Sequence, residues 1–256
     1  MTWVIKIGGR PQSDPSLAKI LASGWGTARR NGGLVLVHGG GDEVSALQAA
    51  FGGSTSFVNG RRVTTEKDIE LVRMGLSGSA NKRLVSSLVG EGVDAVGLSG
   101  EDAALIAAAP LDAATLGFVG TPQHVNVAFL RHLLSGGFLP VVSPVSRDGS
   151  GTMGSALNVN GDDAAAAIAV ALGAADLLLV ADVPGVMRNG AVILEVTTAD
   201  ARALMADGTA VGGMQAKLQA ALAALAGGVA RVRISDIAAI ADPARGTILR
   251  SVGELS

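Results

Sequence analysis

Apolar positions along this chain fall in short unbroken runs, each followed by a longer stretch in which apolar residues recur at helical spacing. Leu34-Val35-Leu36-Val37 is typical of the runs. Continuous runs, rather than alternating ones, suit strands covered on both faces, as in parallel sheets. The pattern predicts strands at residues 2–7, 34–37, 95–98, 139–143, 177–181 and 231–234, with a last short one near Ile248. Helical spacing predicts helices at about 16–30, 43–50, 66–76, 80–91, 128–134, 162–172, 199–207 and 214–226. Gly173 suits the C-cap of the helix 162–172. Residues 57–63 read as a hairpin turning at Asn59-Gly60, and about 103–127 as short strands with turns. Strands alternating with helices imply an α/β fold whose mostly parallel sheet is covered on both faces. No repeat and no linker is visible, and a shallow division falls near residue 173, where the rhythm restarts.

Composition narrows the function classes. Apolar residues make up 48% of 256 residues, and mean hydropathy is +0.44. No uninterrupted apolar run approaches the ~20 residues of a membrane span. Charged residues are 16%, net charge is −2 and no basic run occurs, so a nucleic-acid footprint is absent. There is no cysteine, which excludes disulfides and thiol chemistry. His38, His124 and His132 are far apart, with no metal-ligand spacing, and no metal site on the protein is expected. The chain opens in a strand without the pattern of a signal peptide. A soluble cytoplasmic protein is the expectation.

Two strand ends break into glycine: Lys6-Ile7-Gly8-Gly9 and His38-Gly39-Gly40-Gly41. Glycine there lets backbone N–H groups approach an anion closely, and Lys6 adds a full positive charge. Two such loops on neighbouring strands suggest a phosphate being moved, which makes phosphoryl transfer the first hypothesis. Neither loop is a Walker A or a Gly-x-Gly-x-x-Gly fingerprint. Each alone is equally a plain strand end or a loop into an N-capped helix. Asn158-Val159-Asn160-Gly161-Asp162-Asp163 precedes a nearly all-apolar helix, and capping explains only one or two of its four polar residues. Gly212-Gly213 opens a helix with N–H groups accessible to phosphate. Lys217, about one turn in, opposes the macrodipole; an anionic ligand would account for it, though a solvated surface lysine is the plainer reading. An arginine of Arg61-Arg62, at the hairpin edge, could grip a carboxylate with its planar fork. Ala181-Asp182-Val183-Pro184-Gly185-Val186 ends a strand where open α/β sheets bind ligands. No Ser-His-Asp order and no paired glycosidase-type carboxylates stand out.

Taken in order, seven segments resemble the amino acid kinase family over nearly the whole chain. They are Lys6–Gly9, His38–Gly41, Gly60–Thr64, Leu116–Gly120, Asn158–Asp162, Asp182–Val186 and Gly212–Lys217. The resemblance implies a three-layer αβα sandwich with a mostly parallel, open central sheet. It implies one continuous domain of two lobes: residues 1–173 bind the amino-acid substrate and dimerise, and residues 174–256 bind ATP. The implied reaction is ATP-dependent phosphorylation of the side-chain carboxylate of N-acetyl-L-glutamate in arginine biosynthesis, with Mg2+ riding on the β- and γ-phosphates. A carboxylate acceptor is already a nucleophile at neutral pH, so catalysis reduces to positioning and electrostatics.

The resemblance also implies roles. Lys6 and Lys217 neutralise the transferring phosphoryl group and Asp162 holds both. Gly8, Gly9 and Gly40 donate N–H groups to phosphate. Gly40, Gly41, Arg62, Asn158 and Asn160 hold the amino acid, with Arg62 on its α-carboxylate. Asp182, Val183, Pro184, Gly185, Val186 and Met187, with Thr209, Ala210, Val211 and Met214, line the adenine-nucleotide site. A homodimer is implied, through the helix near 66–76. Because Lys6 follows Met1 so closely, the ring-forming N-terminal helix of arginine-inhibited members is not expected, and insensitivity to arginine is. Two departures stand out. Gly161-Asp162-Asp163 replaces the more usual Ala-Asp-Gln or Ala-Asp-Thr. Together with Leu98-Ser99-Gly100-Glu101-Asp102 it leans toward a sister group acting on carrier-linked α-aminoadipate in lysine synthesis, whereas the Asn59–Arg62 hairpin leans toward acetylglutamate. A non-catalytic nucleotide-binding protein of the same fold is the alternative of another class, and the set Lys6, Asp162 and Lys217 argues against it.

Overall fold

The computed structural model describes residues 2–58, 60–154 and 156–251. The chain opens with β1 (Trp3–Ile7), α1 (Leu17–Ala28), β2 (Leu34–His38) and α2 (Gly41–Ala50). A small hairpin, β3 (Phe57–Val58) and β4 (Arg61–Arg62), leads to α3 (Glu66–Val72), a π-helical stretch Arg73–Ala80 and α4 (Asn81–Gly90). Then come β5 (Ala95–Gly100), β6 (Ile106–Pro110), the single turn α5 (Ala113–Leu116), β7 (Val119–Val125), α6 (Val127–Ser135), β8 (Leu139–Asp148) and β9 (Ala156–Val159). The remainder is α7 (Gly161–Leu172), β10 (Asp176–Val180), a hairpin of β11 (Met187–Arg188) and β12 (Ala191–Val192), β13 (Glu195–Thr197), α8 (Thr198–Ala206), α9 (Gly212–Ala226), β14 (Val232–Ser235) and β15 (Thr247–Arg250).

The main sheet runs β13-β15-β14-β10-β1-β2-β8, with β5 also on β8. β1 is parallel to both neighbours, so Lys6 lies between Leu179 and Val37. In this part of the sheet only β14–β15 is antiparallel. Successive strand residues enter opposite layers. Val4, Val35, Val37, Leu177 and Leu179 pack with Ala165 and Ile168 of α7 and Leu218 of α9. Ile5, Ile7, Leu36, Leu178 and Val180 pack with Leu21 and Trp25 of α1 and Leu88 of α4. The expected three layers around a mostly parallel sheet are therefore present, and no described helix is long and apolar enough to cross a membrane.

Several details differ from the sequence-based expectation, including the strands β9 and β13, which it does not assign. The strand expected at 139–143 continues to Asp148. Its second half leaves β2, keeps β5 past a bulge as far as Ser146 and takes up β6 and β9, and β6-β7-β9 returns to β8 as a small closed barrel. The region 103–127 is made of short strands and turns as expected, here β6, the single turn α5 and β7. The helices expected at 66–76 and 80–91 are one rod. Gly75, Ser77 and Gly78 read as a break, but the backbone continues through them with π-type bonding. Gly75 presses on α2, where a Cβ would come within 3.2 Å of Val44 and Leu47. Lastly, β11 and β12 are joined by Asn189-Gly190 with φ of 51° and 80°, a primed turn unassigned in the sequence reading. In the other hairpin Phe57 pairs with Arg62 and Val58 with Arg61; Asn59 of its turn lies outside the described residues.

Candidate active site

Lys6, at the end of β1, reaches Asp162 in the first turn of α7, and Lys217 of α9 reaches the same carboxylate. Lys6 Nζ is 3.0 Å from Asp162 Oδ1. Lys217 Nζ donates to Oδ1 at 3.1 Å and Oδ2 at 3.3 Å. The three residues are buried, so Lys217 is not the solvated surface lysine of the plainer reading. Its partner gives it a reason to oppose the helix dipole. Burial works against the charge of Asp162, but Lys6 and then Lys217 outweigh it and hold the carboxyl below its ordinary value. Burial, followed by repulsion from Lys6, brings Lys217 down to about 8, although Asp162 opposes the shift. Asn160 caps α7 by accepting from the Asp162 N–H at 2.8 Å, which fixes the carboxylate at the helix start.

Glycine next to this triad has a steric reason. A Cβ on Gly8 would sit 2.5 Å from Lys6 Nζ, and one on Gly161 3.1 Å from Lys6 Cε. The departure at Gly161 thus gives the lysine room. Two ammoniums share one carboxylate and leave a net positive charge in a buried site. Each ammonium has three donors and spends only part of them on Asp162. The remainder are available to an anion.

Beside the triad lies a cleft of about 190 Å³. Lys6 and Asp162 line it, together with all five residues expected to hold the amino acid: Gly40, Gly41, Arg62, Asn158 and Asn160. Lys217 adjoins the cleft through Asp162 and is not among its lining residues. Asn158 donates to Thr64 Oγ1 at 3.0 Å. Arg62 is buried and already engaged. Its Nη1 donates to Gln48 Oε1 (2.5 Å) and Thr55 Oγ1 (3.1 Å), and its Nη2 to the Gly41 carbonyl (2.7 Å) and Ser45 Oγ (2.9 Å). Burial lowers its pKa while Asp68 and Asp42 oppose. The fork therefore ties the hairpin to the glycine loop, and a carboxylate would have to displace some of these partners. The hairpin also reaches across to α9: a Cβ on Gly60 would be 3.7 Å from the Gly212 carbonyl.

The expected nucleotide residues fall in two groups, neither of which lines the cleft. At the end of β10, Asp182 accepts from Arg10 Nε at 2.9 Å and borders a separate cavity of about 410 Å³. Val183 is partly buried against the core. Ser235 donates to the Pro184 carbonyl, and the N–H of buried Val186 donates to Thr247 Oγ1 at 2.8 Å. Gly185 leaves no room for a Cβ beside Val192 and Thr247. Met187 starts β11. The second group precedes and opens α9: Thr209 donates its N–H to Asp207, Ala210 is buried, Val211 is exposed at the N-cap position and Met214 packs on the core. Gly9 lines a further cavity, of about 770 Å³, with Gly40 and Gly41.

Sequence reasoning missed several neighbours. Gly39, Phe57 and Arg61 line the cleft. His38 is fully buried: Nδ1 donates to the Gly39 carbonyl at 2.7 Å and Nε2 accepts from Asn81 at 3.0 Å. Burial brings its pKa down to about 4, so it is a neutral brace for the glycine loop. The spacing of three lone histidines could not reveal this. The Leu98–Asp102 segment, which leaned toward the sister group, is held by its own side chains and by Arg73. Asp102 accepts from the Ser99 N–H and hydroxyl, and Glu101 takes a two-pronged pair from Arg73.

Comparison with known proteins accords with this geometry. The profile of the amino acid kinase family matches residues 1–236. The chain is 41% identical over 239 residues to the acetylglutamate kinase of Geobacillus sp. (strain WCH70), covering 91% of this chain and 89% of that protein. It is 43% identical over 235 residues to the acetylglutamate kinase of Ruegeria sp. (strain TM1040), covering 91% and 81%. The crystal structure of smu.665 from Streptococcus mutans UA159 superposes with a TM-score of 0.85 at 31% identity, covering 97% of this chain and 98% of that one.

Proposed function

The chain belongs to the amino acid kinase family, and from that premise we propose that it transfers the γ-phosphoryl group of ATP to the side-chain carboxylate of N-acetyl-L-glutamate. The product is N-acetyl-L-glutamyl 5-phosphate, in the second step of arginine biosynthesis. The observation that carries the reading is the buried Lys6–Asp162–Lys217 triad beside a small cleft. Relatives named acetylglutamate kinase at about two-fifths identity favour acetylglutamate over carrier-linked α-aminoadipate. A binding protein without catalysis has no need of two ammoniums gathered on one carboxylate.

In this reading the acceptor enters the cleft with its α-carboxylate on Arg62 and its side chain toward Lys6. Gly40, Gly41, Asn158 and Asn160 position it. The γ-phosphoryl group meets the free donors of Lys6 and Lys217 and the N–H groups of Gly8, Gly9 and Gly40. Asp162 orients both lysines. The acceptor carboxylate attacks phosphorus, the bond to the β–γ bridging oxygen breaks and ADP leaves. The lysines stabilise charge on the equatorial oxygens where it is spread. The segments Asp182–Met187 and Thr209–Met214 hold the nucleotide. Residues 1–173 then form the acceptor lobe and residues 174–256 the nucleotide lobe. Magnesium enters with ATP. Asp162 faces two ammoniums, and among the described residues no group of three metal-ligating side chains is assembled. A metal held through the phosphates of ATP would supply charge neutralisation there. We place the protein in the cytoplasm as a homodimer.

Coupled ADP release tests the reading, with N-acetylglutamate, N-acetylaminoadipate, aspartate and carbamate compared side by side and hydroxylamine trapping the acyl phosphate. N-acetylglutamate should give the highest kcat/KM and a trapped hydroxamate. ADP release independent of any acceptor, or preference for another acceptor, would overturn it.

A further inference from the structure

Arg61 has no part in the assignments above. It neighbours Arg62 on β4, and adjacent strand residues face opposite sides. Arg62 turns onto α2, while Arg61 turns onto α7, where its Nη1 lies 2.7 Å from Asp163 Oδ2. The two side chains are 22% and 20% exposed. Burial pushes the Asp163 carboxyl up from its ordinary value although Arg61 opposes the shift.

Arg61 lines two cavities. One is the 190 Å³ cleft; the other, of about 540 Å³, runs along the outside of α7 and β7. Asp163 lines the outer one, most of whose other walls are apolar, among them Val125, Ala167 and Val170, with Thr121, Gln123 and His124 the polar ones. The ion pair thus stands where the cleft would open into an apolar groove. The acceptor's orientation follows from the proposed function, on which this inference rests. With the reacting carboxylate at Lys6 and the α-carboxylate at Arg62, the acylated amine is the substituent left to lie along the hairpin. We infer that the Arg61–Asp163 pair is a specificity-determining wall, which holds the acceptor's acyl group near acetyl size by closing the cleft off from the outer groove.

One methylene in an apolar pocket is commonly worth on the order of 10-fold in selectivity, so the wall is measurable. The readout is the ratio of kcat/KM for N-hexanoyl-L-glutamate to that for N-acetyl-L-glutamate. The native chain should favour the acetyl form strongly. Arg61→Ser, and separately Asp163→Ser, should raise the ratio on the order of 10-fold or more, mainly through KM for the hexanoyl form, with KM for ATP unmoved. Arg61→Lys retains a charged pair and should keep the ratio near the native one. Adding Ala167→Phe to Arg61→Ser fills the groove and should bring the ratio back down without touching turnover of the acetyl form. An unchanged ratio in both serine variants overturns the wall, as does a raised ratio that Ala167→Phe fails to reverse. Calorimetric binding of the two acylated glutamates beside a non-hydrolysable nucleotide reads the same ratio. A chain that binds N-acetylglutamate without turning it over would therefore sink the proposed reaction while still testing the wall.

Discussion

Lys217 carries the clearest consequence at the scale of single residues. Its pKa is brought down to about 8 by burial and by Lys6. The charged form is the useful one in phosphoryl transfer, so activity should be lost as pH rises through that value. Asp162 is held below its ordinary value against the pull of burial and stays ionised above about pH 5, where an ordinary carboxylate is already charged. The profile of kcat/KM should be flat on its acid side and fall above pH 8. Lys217→Arg, always charged, should remove the alkaline fall in whatever activity remains; a native profile flat to pH 10 would contradict the role. Loss of one preorganised charge commonly costs about 10²–10³ in turnover. Lys6→Met and Lys217→Met should each lower kcat by that order, with a smaller change in KM for ATP, and near-normal kcat in both would remove them from the mechanism. The triad's members were each visible in the sequence, at glycine-rich strand and helix ends. That they meet was not, because nothing local links a strand end, a helix start and a later helix. The family resemblance supplied that step. Arg61–Asp163 was legible only as two charges flanking more obvious residues.

Among the elements, the β3–β4 hairpin binds the site together. Its two arginines fasten it to α2 through Gln48, Ser45 and the Gly41 carbonyl, and to α7 through Asp163. Arg62→Lys keeps the charge but cannot reproduce a planar fork spread over four acceptors. KM for the amino-acid substrate should rise far more than KM for ATP. Unfolding by urea should also show a loss of about 1–3 kcal/mol, since buried acceptors would be left unpaired. Equal KM effects on both substrates would contradict the assignment. The hairpin was legible from Asn59-Gly60 directly after Phe57-Val58. The same signal at Asn189-Gly190 passed unused because Met187-Arg188 before it lacks the aromatic and β-branched residues that Phe57-Val58 supplies. The α3–π–α4 rod was misread as two helices for the opposite reason. Its glycines and serines signal a break locally, yet packing of Gly75 on Val44 and Leu47 keeps the backbone winding.

For the whole molecule, the sheet class followed from continuous apolar runs, because a strand buried on both faces has no polar side to alternate with. The strand order and the barrel closing on β8 did not follow, since pairing across the chain leaves no local mark. That order places β1 between β10 and β2, so the loops ending all three strands share one edge. Every residue of the proposed site comes from one copy of the chain, and association should therefore not be needed for chemistry. The α3–π–α4 rod carries Met74 and Val89, both more than half exposed. In a dimer built on this rod those side chains would leave water, within the roughly 1,200–2,000 Å² that stable interfaces bury. Light scattering should then report about twice the 25.4 kDa chain mass. Met74→Glu places like charges against each other across such a two-fold contact, and should yield monomer with kcat preserved and a lower unfolding temperature. Native protein that scatters as a monomer would remove the dimer, and Met74→Glu that remains dimeric would move the interface off this rod. Monomeric Met74→Glu without activity would mean that the partner copy supports the site after all.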